Sequence, residues 1–288
     1  MLELIQNSYR SYASYLWNEI SNPSWHNYFY WLIGVSLFCW TLELIVPWRR
    51  KQAAFRQDFW LDLFYMFFNF FLFSLVIYQA LSDVFVHFFN QLLHSLGIEN
   101  LVAIQLQNLG YGWQLLIMFV VRDFIQWNVH RLLHYNSTLW EFHKVHHSVQ
   151  EMGFAAHLRY HFVETFVYRS IEYIPLAMLG FGIDDFFIVH IIALGIGHLN
   201  HSNIFLPLGP LQYIFNSPQM HIWHHAEHLP KGSYGVNFGL SLSLWDYLFK
   251  TVYMPHTGRD EKLGFEKVER YPSGFFSQVF EPFKSKKD

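Results

Sequence analysis

The chain has 288 residues, 52% hydrophobic and 20% aromatic, with a formal net charge of -3 when histidine is neutral. Its apolar residues fall in long blocks, the composition of a membrane protein, and the near-balanced charge excludes the basic footprint of a nucleic-acid binder. A single cysteine, Cys39, excludes a disulfide framework and a thiolate zinc site, so any metal must rest on nitrogen and oxygen.

In chain order, residues 1–27 are tyrosine-rich and mixed, with Glu3, Arg10 and Glu19 spaced for an N-terminal surface or interfacial helix. The cationic start and small-residue cleavage site of a secretory signal are missing. Residues 28–47 are apolar apart from Glu43 and are long enough to cross a bilayer. Pro47 ends this span, and Trp48 followed by Arg49, Arg50 and Lys51 marks its cytoplasmic side. A second, Phe-rich span is expected at 59–81, where Asp62, one turn from the start, reads as an interfacial charge. Residues 82–110 alternate apolar and polar positions and close in Gly97 and Gly110. The whole of 28–110 thus reads as a transmembrane anchor region.

The segment 111–254 reads as one region organised around its histidines. Residues 111–129 begin apolar and turn polar at Arg122 and Asp123, which places His130 and His134 at or beyond the cytoplasmic boundary. Three motifs follow one another: H-R-L-L-H at 130–134, H-K-V-H-H at 143–147 and H-I-W-H-H at 221–225. Histidines three and four apart lie on one helix face, so each motif projects a row of imidazoles. With 18 histidines in the chain, a shuffle would produce roughly 0.07 H-x-x-H-H triplets, and this chain has two. Rings so clustered would repel when protonated; a bound cation keeps them neutral and uses their lone pairs.

Between the motifs, 171–196 is apolar but interrupted by Pro175, Gly180, Gly182 and Asp184-Asp185, which suits a re-entrant hairpin better than a straight span. Such a hairpin returns the late histidines to the side of the early ones. Beyond it lie His198 and His201, a Pro/Gly stretch from Pro207 to Pro210, and Asn216–Met220, a turn and helix start with Pro218 near the first helical position. Residues 255–288 form a polar C-terminal tail ending Lys-Ser-Lys-Lys-Asp, in which Lys284-x-Lys286 resembles a dilysine retrieval signal.

The expected metal ligands are His130, His134, His143, His146, His147, His201, His221, His224 and His225, with His198 a tenth. That number exceeds the needs of one ion and suits two metals with open positions. Imidazole alone does not choose between iron, zinc, copper and nickel. Asp123, His161, Glu164, His228 and Asp246 are candidates to orient the ligand rings. Glu141 and Glu227 are further acids that could take the same role, and any one of these acids reads equally well as a solvated charge. His157 and His161 are possible substitute ligands, although Arg159-x-His161-x-x-Glu164 reads better as packing of a cytosolic cap. His26, His87, His94, His190 and His256 read as structural. The fold class expected is all-α: multi-pass membrane helices carrying a cytosolic-facing helical cap with a histidine-rich dimetal site.

Two other functions fit parts of the pattern. His224-His225-Ala226-Glu227-His228 satisfies the H-x-x-E-H arrangement of zinc hydrolases but strands the other clustered histidines. A membrane zinc or iron carrier would need ligands inside the spans, and 28–47 and 59–81 hold no histidine.

The order H-x-x-x-H, H-x-x-H-H, His-Ser-Asn, H-x-x-H-H closely resembles the fatty acid hydroxylase and sterol desaturase superfamily of integral-membrane di-iron enzymes. Leu139-Trp140-x-Phe142-His143-Lys144-Val145-His146-His147-Ser148, Arg159-x-His161-x-x-Glu164, His201-Ser202-Asn203, Ser217-Pro218-x-x-His221 and Leu244-Trp245-Asp246 extend the likeness over about 122–252. Phe162 stands where the family usually has proline, and Lys250 where glycine commonly precedes the threonine, here Thr251; both bear on loop geometry and substrate choice. The resemblance implies two iron ions, with zinc able to replace them in a purified or mismetallated form. It also implies O2-dependent hydroxylation or desaturation of a membrane lipid, a separate electron-donor protein, and a multi-pass location in a bacterial inner membrane or endoplasmic reticulum with the active site facing the cytoplasm. Sterol, fatty acyl, sphingoid and carotenoid substrates fit the same histidine frame.

Overall fold

The computed structural model describes residues 2–74, 79–99, 109–181 and 183–284, together with 102, 104 and 106. Among these residues the chain is all-helical, without a strand; three isolated bridges, Pro47 to Ile204, Phe215 to Leu242 and Ala226 to Leu263, pin its loops. The helices are α1 (Leu2–Ser21), α2 (Tyr28–Ile45), α3 (Phe59–Phe67), α4 (Gln79–Ser95), α5 (Tyr111–Tyr135), α6 (Ser137–His147), α7 (Phe162–Met178), α8 (Ile183–His201), α9 (Pro218–His224), α10 (Leu244–Leu248) and α11 (Phe275–Phe280).

Among the described residues one helix, α2, is long and apolar enough to cross a membrane. The second expected span is an apolar helix over Phe59–Leu72, its last turn widened into a π-turn, while 75–78 lie outside the described residues. Within that turn the buried Asn69 side-chain amide donates to the carbonyls of Leu158 and Tyr160 at 3.3 and 2.9 Å. Asp62, read as an interfacial charge, is instead fully buried and pairs with Arg56 and Arg159. The expected hairpin at 171–196 corresponds to the later part of α7 and most of α8. Pro175 is accommodated inside α7, and the chain turns at Gly180, in left-handed conformation (φ +70°), beside Gly182, which lies outside the described residues.

Four helices share one register, which positions the site. Arg122 on α5 meets Glu172 on α7 at 3.8 Å and His190 on α8 at 3.4 Å, and His190 packs on Tyr28 of α2 at 5.1 Å between rings. Eight residues along each helix, about 12 Å at 1.5 Å per residue, lie His130, Glu164, His198 and Ser36. The bundle therefore has two polar layers, one holding this ion pair and one at the level of the clustered histidines.

Candidate metal centre

Two of the three histidine motifs sit on helices whose start is fixed locally. The Asn136 side chain caps α6 by accepting from the N–H groups of Thr138 and Leu139, both at 3.0 Å, and Ser217 caps α9 by accepting from Met220 N–H at 3.3 Å with Pro218 at the first position. His130 and His134 come from α5, His143, His146 and His147 from α6, and His201 from the end of α8. His221 and His224 come from α9, and His225 follows at its cap.

Nine of the ten expected ligands are gathered into two buried groups. One ring nitrogen from each of His130, His134, His143, His147 and His224 lies within 4.8 Å of the others, and His146, His201, His221 and His225 form a second set by the same measure. The groups adjoin, with ring centroids of His147 and His225 at 4.5 Å and of His146 and His147 at 5.6 Å. Each H-x-x-H-H motif feeds both groups, although its spacing suggests a single row. At 100° per residue, positions i and i+4 are only 40° apart, whereas i+3 lies 100° from i+4. Accordingly His143 and His147 join one group and His146 the other; His221 and His225 stay together while His224 crosses over.

The hydrogen bonds fix the tautomers. Nδ1 of His130, His134, His146, His201 and His224 faces the carbonyls of Phe238, Tyr234, Arg159, Gly197 and Val236 at 2.8, 3.1, 3.0, 2.8 and 2.7 Å. A carbonyl only accepts, so each Nδ1 carries the proton and each Nε2 of the neutral ring presents a lone pair. In the first group the Nε2 atoms of all five rings are buried without a partner. In the second, the Nε2 atoms of His146 and His201 face each other at 3.4 Å as two lone pairs, with His221 Nε2 3.0 Å from His201 Nε2. Converging lone pairs repel unless a cation lies between them, so this donor set fits two borderline divalent ions.

Burial keeps the rings neutral. It lowers His130 to about 4 and His146 to about 3, and drives the other seven of the nine well below the usual imidazole value. Glu164 faces His143 Nδ1 at 2.8 Å and accepts from the His161 N–H at 3.2 Å; burial pushes its carboxyl up to about 8.

The remaining expected residues divide by reach. Asp246 accepts from the N–H groups of Phe238 and Gly239 and from Trp127 and Thr251, so it holds the backbone whose Phe238 carbonyl orients His130. Asp123 accepts from Ser241 N–H, Leu242 N–H and Trp245 Nε1 at the far end of that loop. His161 is spent structurally, donating from Nε2 to the Val279 carbonyl at 3.0 Å and accepting Val163 N–H at Nδ1. His198 stands outside both groups, its Nδ1 2.9 Å from His157 Nδ1 and its Nε2 3.2 Å from Ser36 Oγ. His228 is exposed, and Glu227 pairs with Lys262 at 2.7 Å.

Sequence reasoning missed the carbonyls of 234–238, which hold three of the rings. The signal was present in Gly235 and Gly239: a Cβ on Gly235 would come within 2.9 Å of His134 Nδ1, and one on Gly239 within 2.3 Å of the Leu242 carbonyl. It read Arg159 only as part of a packing motif and missed that this residue, buried on Asp58, Asp62 and Ser148, turns its carbonyl to His146.

The family model described as fatty acid hydroxylase matches residues 115–251. The ornithine lipid hydroxylase OlsE of Rhizobium tropici is 33% identical over 175 residues, 61% of this chain and 52% of that protein. Alkylglycerol monooxygenases of Xenopus tropicalis and Homo sapiens are each 30% identical over 48% of this chain and 30% of their own length. The matches thus span from 30 to 52% of the length of these relatives. No solved structure matches.

Proposed function

Through residues 115–251 the chain belongs to the fatty acid hydroxylase family, and on that premise we propose that it is a membrane oxidoreductase that uses O2 to hydroxylate a lipid at two iron ions. The observation that carries this reading is the set of Nε2 lone pairs, aimed inward in two adjoining groups by Nδ1 protons bonded outward. His130, His134, His143, His147 and His224 would hold one ion, and His146, His201, His221 and His225 the other. Iron bound there supplies the redox chemistry by which one oxygen atom of O2 enters a C–H bond and the other leaves as water, consuming two electrons and two protons. Iron, rather than zinc, follows from the family premise, since imidazole binds both and zinc has no redox chemistry.

The chain's own work is positional. Backbone carbonyls of 234–238 and 159 lock the rings, Glu164 holds His143, and burial of all nine histidines keeps bulk water from the reacting carbon. Hydroxylation is favoured over desaturation because the matched relatives are a hydroxylase and monooxygenases. A separate donor protein delivers the electrons.

The protein is multi-pass, with the metal layer at the cytoplasmic surface. In support, the backbone N–H groups of Trp48 and Arg49, at the basic end of α2, donate to Asn203, two residues from His201, at 2.9 and 2.8 Å. A zinc hydrolase built on His224, His225, Glu227 and His228 is disfavoured, because these histidines fall in one group, the other group and neither. The test is to purify the protein in lipid, count metal per chain and follow turnover under 18O2. Two irons and one labelled oxygen in the product are expected; one metal per chain, or oxygen derived from water, overturns the reading.

A further inference from the structure

The loop joining His201 to α9 has a composition that the metal centre does not explain. Residues 186–226 contain no Asp, Glu, Lys or Arg, although charged residues make up 14% of the chain and about six would be expected. Within α8 and α9 this is unremarkable, because those helices are packed inside the bundle. Residues 205–215 are different. They run Phe-Leu-Pro-Leu-Gly-Pro-Leu-Gln-Tyr-Ile-Phe and are solvent-accessible at every position but Leu208 and Gln212, which are half-buried. Phe205, Leu211, Tyr213 and Ile214 are 50, 53, 54 and 44% exposed. An eleven-residue surface loop with one amide as its polar side chain, apart from a tyrosine hydroxyl, is poorly matched to water.

This surface is held firmly and continues another apolar face. Phe215 bridges Leu242, Ser243 Oγ donates to the Gln212 carbonyl at 2.6 Å, and the loop coils through a 3-10 turn over Gly209–Tyr213. Its base is tied to the ligand helix by Gln219, which accepts from Leu206 N–H at 3.3 Å and donates to the Ile204 carbonyl at 3.2 Å. Ile204 bridges Pro47, and Phe205 packs on Trp48 at 5.9 Å. Just before Pro47, at the end of the membrane-length helix, Leu44, Ile45 and Val46 are 49, 71 and 55% exposed.

We propose that residues 205–215 are seated in the acyl region of the lipid leaflet, forming with Leu44–Val46 one continuous lipid-contacting surface beside the His146, His201, His221 and His225 group. This rests on the membrane reading above. An uncharged, aromatic and aliphatic loop anchored to the end of a spanning helix fits a hydrocarbon partner, and Tyr213 supplies the amphipathic ring favoured where acyl chains meet headgroups. The consequence is that the second histidine group lies on the lipid-facing side of the centre, because the loop connects two of its members, His201 and His221, directly.

The test places a polarity-sensitive fluorophore at Leu211→Cys in a Cys39→Ser background, with the full chain reconstituted in nanodiscs. Phe38→Cys on the exposed flank of α2 serves as the lipid control and Glu266→Cys as the water control. The Leu211 probe is expected to be quenched several-fold by spin-labelled lipids and protected from iodide, as at position 38. Iodide quenching equal to that at position 266 overturns the proposal. Protection from both quenchers overturns it in favour of a protein contact, such as a second copy of this chain. If the position 38 probe is itself open to iodide, the membrane reading fails first and the proposal with it.

Discussion

Asp246 touches no ring nitrogen, yet its replacement is expected to empty the first histidine group. Its Oδ1 accepts from Trp127 Nε1 at 3.0 Å, Phe238 N–H at 2.9 Å and Thr251 Oγ1 at 2.6 Å, and its Oδ2 accepts from Gly239 N–H at 2.8 Å. All four donors lose their partner in Asp246→Ala. A buried donor left unpaired costs about 1–3 kcal/mol, so even at the low end the loss is about 4 kcal/mol, a large share of the roughly 5–15 kcal/mol that holds a domain together. Asp246→Asn keeps one oxygen for three of the donors and turns its amide N–H against one, costing about 1–3 kcal/mol. The Phe238 carbonyl, released from its fixed N–H, no longer locks His130, and metal affinity in the first group is expected to fall about 10–100-fold. Thermal unfolding in detergent and metal counts after chelator challenge read both effects, with Ala much worse than Asn and Asn worse than the parent. Should Asp246→Ala unfold within about 1 kcal/mol of the parent and keep both metals, the positioning argument is wrong.

Glu164→Gln replaces the carboxyl that faces His143 Nδ1 at 2.8 Å with an amide, whose two ends no longer offer equivalent oxygens to that ring; metal affinity is expected to drop about 10-fold or more with little loss of fold, measured by competition with a chromophoric chelator. Gly239→Ala drives a Cβ to 2.3 Å from the Leu242 carbonyl, a backbone atom that cannot swing aside, whereas Gly197→Ala meets only the His157 ring at the same distance. The first variant is expected to lose metal and most stability, and the second, whose clash is with a buried side chain held by His198 and not with backbone, to lose less of both, as read by metal content and melting temperature. In the metal-stripped protein, burial holds His130 to about 4, and His146 to about 3, below the unfolded value of 6.5. The unfolded chain therefore binds more protons below pH 6.5: stability is complete above that value and is lost as pH falls, by up to about 1.4 kcal/mol per pH unit per ring. A melting temperature unchanged between pH 7 and pH 5 would refute it.

The helical fold and the nine histidines were legible because both are local properties. Apolar block length, the Asn136 and Ser217-Pro218 caps and the i, i+3, i+4 spacing act within a few residues, and a helix at 100° per residue turns spacing directly into direction. The fatty acid hydroxylase likeness was carried by the same short motifs. Their allocation was not legible, because which group a ring joins depends on what faces it. His146 leaves its neighbours for His201 and His221, and His224 leaves its own for His130, once α5, α6, α8 and α9 are packed at one level. Nor could spacing separate His198, three residues from His201, from the gathered histidines, since Ser36 and His157, which engage its two ring nitrogens, are distant in the chain. Asp62 shows the same limit: one turn into an apolar helix it reads as interfacial, and only the arrival of Arg56 and Arg159 makes its burial tolerable. Direction along a helix is set by the backbone and can be counted from the sequence, whereas the partner that satisfies a buried proton or lone pair comes from another segment, which only the packed structure supplies.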